Sequence, residues 1–194
     1  MALTTSTMLR LGTTMPNFNL PDVISGKIIS SEIFSHQKAF LVMFICRHCP
    51  FVQHVQHELA RLGQDYHRDD LAIIAISSNS VQTHPEDGSE QLKEMAVELG
   101  FNFPYCYDAT QEVAQAFTAA CTPDFFLFDS DRHLVYRGQL DSSRPTNGIL
   151  VTGHDLRAAI DAVLVDQVVE SEQQPSVGCN IKWHPGFEPK YSSR

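Results

Sequence analysis

Ala39–Tyr66 reads AFLVMFICRHCPFVQHVQHELARLGQDY, and the change of pattern inside it decides the fold. Phe40 to Ile45 is an unbroken apolar run rich in β-branched and aromatic side chains, as in a strand buried on both faces. After it, Phe51, Val55, Leu59, Leu62 and Tyr66 recur at helical spacing, with Val52 widening the stripe. Pro50 suits the first helical turn, where a missing N–H costs nothing and the fixed φ is already helical. Cys46 and Cys49 therefore bracket the start of a helix. The unpaired N–H groups and the positive end of the helix dipole stabilise an anion there, so a thiol ionises more easily than a free one at about pH 8.5. Two thiols at this spacing can also close a disulfide after one has attacked a substrate, which makes a reversible two-electron couple.

The rest of the composition narrows the setting. A chain of 194 residues, 43% hydrophobic and 19% charged, suits one globular domain with a substantial core. A net charge of -9 repels phosphate, so neither nucleic acid nor an anionic membrane is an expected partner. No segment approaches the roughly 18 apolar residues of a membrane span. Residues 1–12 lack the apolar centre of a secretory signal, and a cytoplasmic location is expected. In a reducing compartment a C-x-x-C is catalytic or metal-binding rather than structural.

Outward from the central stretch, Met15–Leu20 and Lys27–Ile29 flank a turn and read as a small N-terminal hairpin, and Ser30 or Ser31 as the cap of a brief helix. Leu71–Ile76 is a second buried strand, so strand, helix, strand implies a right-handed parallel crossover between neighbours. The polar loop Ser77–Ser89, with Asn79, Glu86 and Asp87, leaves the same sheet edge as the two cysteines and is a candidate wall of the site. Leu92, Met95, Ala96 and Leu99 define a helix ended by Gly100, followed by a short strand within Phe103–Tyr107 and a helix capped by Asp108. Phe125–Phe128 and His133–Arg137 form an antiparallel hairpin, and Thr152 with Asp155 approximates a capping box for a last helix. The domain is expected over residues 1–166, with a tail over 167–194 that packs on it because Val177, Ile181, Trp183 and Phe187 are unsuited to a disordered segment.

This order of elements resembles the thioredoxin fold: an α/β protein with a central mixed β-sheet flanked by helices. More narrowly, the chain resembles the peroxiredoxin-like branch of the alkyl hydroperoxide reductase and thiol-specific antioxidant superfamily. Four stretches carry the likeness: Gly12-x-x-x-Pro16-x-Phe18-x-Leu20, Cys46-x-x-Cys49-Pro50, Thr122-Pro123 before Phe125-Phe126-Leu127-Phe128-Asp129, and Pro175-Ser176-Val177-Gly178-Cys179-Asn180-Ile181-Lys182-Trp183. The resemblance implies a cis Pro123 against the C-x-x-C, with the backbone at Thr122 and Pro123 pairing with an extended substrate. A peroxiredoxin has Thr-x-x-Cys at this site. Here Cys46 stands in the threonine's place, Cys49 occupies the peroxidatic position, and Pro123 falls in the region that would supply the activating arginine.

The favoured reading is a thiol-disulfide oxidoreductase using Cys46 and Cys49, with Cys46 as the exposed nucleophile and Cys49 resolving. In a hydroperoxide reductase the order reverses: Cys49 attacks peroxide and Cys46 resolves the sulfenic acid. A redox-inert binding or metal-binding module is the third class. Arg47 and His48 replace the Gly-Pro of thioredoxins, and their positive charge is expected to favour the thiolate and make the couple more oxidising than thioredoxin's, about -270 mV. Cys106 and Cys121 read as core thiols, whereas Cys179 is a candidate extra redox thiol reaching the pair or another subunit. Cys46, Cys49, His54 and His57 have a metal-like spacing, but on a helix His54 lies about 140° round from Cys49 and His57 about 12 Å further along. No metal and no cofactor are expected. Expected partners are a thioredoxin- or glutathione-type reductant and a disulfide or hydroperoxide substrate, with the oligomeric state open.

Overall fold

Alternation along Ala39–Phe44 sorts the molecule into layers. Successive strand side chains point to opposite faces, so Ala39, Leu41 and Met43 enter one apolar cluster with Val52, Val55, Leu59, Leu92, Leu156 and Ile160. Phe40, Val42 and Phe44 enter a second, with Phe117, Phe126, Phe128, Ile181 and Trp183. Phe117 is the hub of that second layer, meeting Phe44, Phe126 and Phe128 edge-on at centroid distances of 5.5, 5.6 and 5.9 Å.

The computed structural model describes residues 3–32, 36–67 and 70–193. In chain order the elements are β1 (Leu3–Thr5), β2 (Asn19–Pro21), β3 (Ile28–Ser30), β4 (Ala39–Phe44), α1 (Pro50–Asp65), β5 (Leu71–Ser77), α2 (Ser89–Leu99), β6 (Tyr105–Tyr107), α3 (Glu112–Ala116), β7 (Cys121–Thr122), β8 (Asp124–Phe128), β9 (Leu134–Gly138), α4 (His154–Leu164) and β10 (Val177–Asn180). The central sheet has the order β6-β5-β4-β8-β9. β4 pairs in parallel with β5, and β5 with β6, while β8 and β9 run antiparallel. This is the mixed sheet flanked by helices of a thioredoxin-like fold.

β2 and β3 form the expected N-terminal hairpin, but the brief helix after Ser30 and Ser31 falls on residues 33–35, outside the described residues. Two caps differ from expectation. Gln111, in the left-handed conformation at φ 64, stands at the N-cap of α3, while the Asp108 carboxylate reaches past it to accept the Ala114 N–H at 3.0 Å. Gly153, at φ 68, stands at the N-cap of α4, and the Asp155 carboxylate accepts from the Gln139 amide at 2.7 Å instead of reaching back.

The chain after α4 is built into the fold. β10 lies between β1 and β7 in a separate three-stranded antiparallel sheet. Beyond it, Ile181 and Trp183 bury their side chains in the second apolar layer. Lys182 ties this segment to the loop after β5: its N–H donates to Asn79 Oδ1 at 2.8 Å and its carbonyl accepts from Ser80 N–H at 2.7 Å. No helix among the described residues is long and apolar enough to cross a membrane.

Candidate active site

β4 ends at Phe44, and Ile45 still donates its N–H to Ile76 of β5 before Cys46, Arg47 and His48 turn the chain. Cys49 is the N-cap residue of α1 and Pro50 follows in the first turn. Both sulfurs meet Thr122 of β7. Cys46 Sγ lies 3.3 Å from the Thr122 hydroxyl, and Cys49 Sγ lies 3.2 Å from the Thr122 carbonyl oxygen. The Thr122–Pro123 peptide is cis. The C-x-x-C and the Thr-Pro pair are thus brought into one site. A crevice lined by Phe51, His54, Pro123, Arg144, Ser176 and Val177 opens beside Pro123.

Cys46 is not the exposed nucleophile the thioredoxin comparison implies: both it and Cys49 have a relative exposure of 0%. The burial follows from the third sheet and the apolar layer of α1 closing over the pair. Their ionisation also separates. The hydrogen bond from Cys46 overcomes the opposing effect of burial and, with help from Cys179 and Thr122, holds the Cys49 thiol down at about 5. Burial, then the hydrogen bond to Cys49 and the Asp87 charge, push the Cys46 thiol well up. The two thiols are thus pushed in opposite directions, Cys49 toward the ionised form and Cys46 toward the protonated one.

Asp87 organises the turn between the two cysteines, a role that nothing in its surroundings in the sequence signals. It lies in a 3-10 turn, Pro85–Asp87, and is wholly buried. One carboxylate oxygen accepts the backbone N–H groups of Arg47 at 2.9 Å and His48 at 3.1 Å; the other meets His48 Nδ1 at 2.5 Å and the Asn79 amide at 2.8 Å. Burial alone would raise its pKa, but the bonds from His48 and Asn79 outweigh it and hold the carboxyl below its usual range. His48 Nδ1, the nitrogen that meets Asp87, also lies 3.9 Å from Cys46 Sγ. The His84 ring lies 4.5 Å from the His48 ring, centroid to centroid and tilted by 33°, and burial followed by the charges of His48 and Lys182 lowers its pKa.

Arg47 departs from expectation. Its guanidinium turns to α2, donating to the Gln91 carbonyl and the Glu94 carboxylate, each at 2.7 Å. A nearby carboxylate neutralises it, so its contribution to the site is its backbone N–H rather than its charge. His54 bonds Ser143 at 2.7 Å and His57 is exposed, which removes both from a shared ligand set with the cysteines. Among the described residues, the donor atoms that do lie together, within 4.8 Å, are those of Cys46, His48 and Asp87. Cys106 is a core thiol that burial pushes up to about 12. Cys121 is likewise buried, and burial raises its thiol well above the ordinary value. Cys179 does not stay apart: β10 places it opposite Thr122.

Residues 11–137, which include the C-x-x-C, the loop with Asp87 and the Thr-Pro pair, match the AhpC/TSA family. The chain belongs to the AhpC/TSA family. Within it, the sequence and fold are those of a peroxiredoxin-like thioredoxin-fold protein. The chain is similar to an uncharacterized conserved protein from Geobacillus kaustophilus, whose crystal structure has 53% identity and a TM-score of 0.94 over 96% of this chain and 98% of that one. A hypothetical protein from Sinorhizobium meliloti 1021 is similar at 48% identity and a TM-score of 0.92, over 94% of this chain and all, 100%, of that one. More distantly, at 17% identity and a TM-score of 0.63, the fold is shared with the thioredoxin domain of a thiol-disulfide oxidoreductase from Bacteroides vulgatus, over 80% of this chain and 99% of that one. Comparison with curated proteins gave no match. AhpC/TSA membership and the thioredoxin-like scaffold together support a redox function.

Proposed function

We propose that the chain is a thiol-disulfide oxidoreductase whose redox couple is Cys46 and Cys49. The observation that carries this reading is the convergence of both sulfurs on Thr122, beside cis Pro123 and at the start of α1. In the reduced pair Cys49 bears the charge. Its thiolate attacks one sulfur of a substrate disulfide, forming a mixed disulfide and releasing the first substrate thiol. The Cys46 thiol then attacks Cys49 Sγ, and its proton passes to the substrate sulfur that departs as the second thiol. Two protein thiols become one disulfide as one substrate disulfide becomes two thiols. A thioredoxin- or glutathione-type donor reverses the change in the protein.

The low position of Cys49 favours one second reading. Cys49 attacks a hydroperoxide, the alcohol leaves, and Cys46 condenses with the sulfenic acid to give the same disulfide and water. Either way, an enclosed pair suits a small substrate. The deciding experiment measures disulfide reduction and hydrogen peroxide consumption, with thioredoxin or glutathione as donor, for wild type, Cys46→Ser and Cys49→Ser. Disulfide reduction lost in both variants, with negligible peroxide turnover, supports the oxidoreductase. Rapid peroxide turnover dependent on Cys49, with a sulfenic acid trapped in Cys46→Ser, replaces it with the peroxidase.

A further inference from the structure

The convergence on Thr122 involves three sulfurs. In the β10–β7 register Cys179 stands directly opposite Thr122, the residue whose hydroxyl and carbonyl meet Cys46 and Cys49. Cys49 and Cys179 are near enough to shift each other's ionisation, and all three cysteines belong to the same packed cluster. β10 is held for this approach from several sides. β1 pairs with its other edge, with Leu3 opposite Cys179. Ile181 and Lys182 just beyond it donate their N–H groups to the Ala120 carbonyl and to Asn79. Gly178 is required: a Cβ there would fall 2.0 Å from the Thr122 carbonyl oxygen. A thiol serving only to fill core space has no need of such an approach to the reactive pair.

We infer that Cys179 is a third redox thiol, which exchanges with the Cys46–Cys49 disulfide to form a Cys49–Cys179 disulfide. The step rests on the dithiol reading above and consumes no outside oxidant. The Cys179 thiolate attacks Cys49 Sγ, the Cys46–Cys49 bond breaks, and Cys46 leaves as a thiolate that takes up the proton Cys179 has lost. One disulfide is present before and after. Burial, followed by the hydrogen bond and charge of Cys49, pushes the Cys179 thiol up to about 12 while the pair is reduced. The contribution from the Cys49 charge disappears once Cys49 is in a disulfide, so oxidation of the pair is what readies Cys179. The exchange would return Cys46 to the thiol state, paired with His48, while the oxidising equivalent is held on β10.

The test uses the full chain. Wild type and Cys46→Ser are treated with oxidised glutathione, acid-quenched, alkylated and mapped by peptide mass spectrometry. In Cys46→Ser, Cys49 first becomes glutathionylated and Cys179 then displaces glutathione, so the expected product is an intramolecular Cys49–Cys179 disulfide with no glutathione retained. Glutathione retained on Cys49 with Cys179 alkylated, or Cys49 left as a thiol, overturns the proposal. Cys46→Ala replaces the serine variant if that does not fold, and is read identically. Wild type separates the two claims: a Cys46–Cys49 disulfide there, without the cross-link in the variant, defeats only the role of Cys179. No disulfide in either protein defeats the dithiol reading as well.

Discussion

Asp87 is the single residue on which the geometry between the cysteines depends most. Its carboxylate receives two backbone and two side-chain donors in a buried position, and hydrogen bonds to charged groups contribute roughly 1.5–3 kcal/mol each. Asp87→Asn keeps the shape but loses the charge, and should lower unfolding stability by about 1.5–3 kcal/mol in a urea titration at neutral pH. The pH dependence has a definite sign. The folded pKa lies below the unfolded one, so the stabilisation is present above the ordinary aspartate value of about 3.9 and is lost as pH falls through the folded value. The Asn variant should lack that acid-side loss; equal acid sensitivity in both proteins would rule out the carboxylate as its source. Sequence reading placed Asp87 in a loop at the right sheet edge, a candidate wall of the site, without assigning it a role. A Pro-Glu-Asp-Gly turn looks solvated, and nothing local reveals that its third residue is buried under the cysteine turn.

At the scale of elements, β8 and α3 carry opposing lessons about burial. Asp124 opens β8, and burial, only partly offset by bonds from Ser6 and Ala120, raises its carboxyl to about 7. The folded chain holds a proton there that the unfolded chain releases near 3.9, so this group's stabilisation is full below that value and disappears as pH rises to about 7. Asp124→Asn should remove this decline, and stability compared at pH 5 and pH 8 checks it: an unchanged difference would assign the pH dependence to other groups. On the same face of the sheet, Phe117 closes α3 against three phenylalanines. Phe117→Ala should cost about 3–5 kcal/mol by denaturant titration, and a loss below 1 kcal/mol would mean that the layer repacks into the space. The strands and main helices were legible because continuous apolar runs and helical stripes are local signals, as in Phe40–Ile45 and in the face of α1. The caps at Gln111 and Gly153 were not, because each depends on a left-handed backbone set by its surroundings.

For the molecule as a whole, the enclosure of its thiols is the property to measure. All five cysteines are buried, none more than 3% exposed. A native chain should therefore react slowly with an aromatic disulfide thiol reagent and reveal five thiols only after denaturation; rapid labelling of Cys46 and Cys49 in the native state would show that the pair is open. Gly178→Ala should disturb this enclosure by forcing β10 away from Thr122, with a stability loss of about 1–3 kcal/mol and faster labelling of Cys49 than in wild type. The C-x-x-C at the strand-to-helix junction was readable from the sequence, but its burial was not. Local periodicity carries no register between Thr122 and Cys179, which lie in distant parts of the chain and become neighbours only when the third sheet forms. That late pairing also has a history in time. β10 is synthesised after every other strand of the fold. During translation Cys46 and Cys49 emerge first, and they pass through the cell's thiol chemistry without the strand that later covers them. The nascent chain is therefore a different redox object from the finished one, and the last strand to arrive decides which thiols the cytosol or any other compartment can reach.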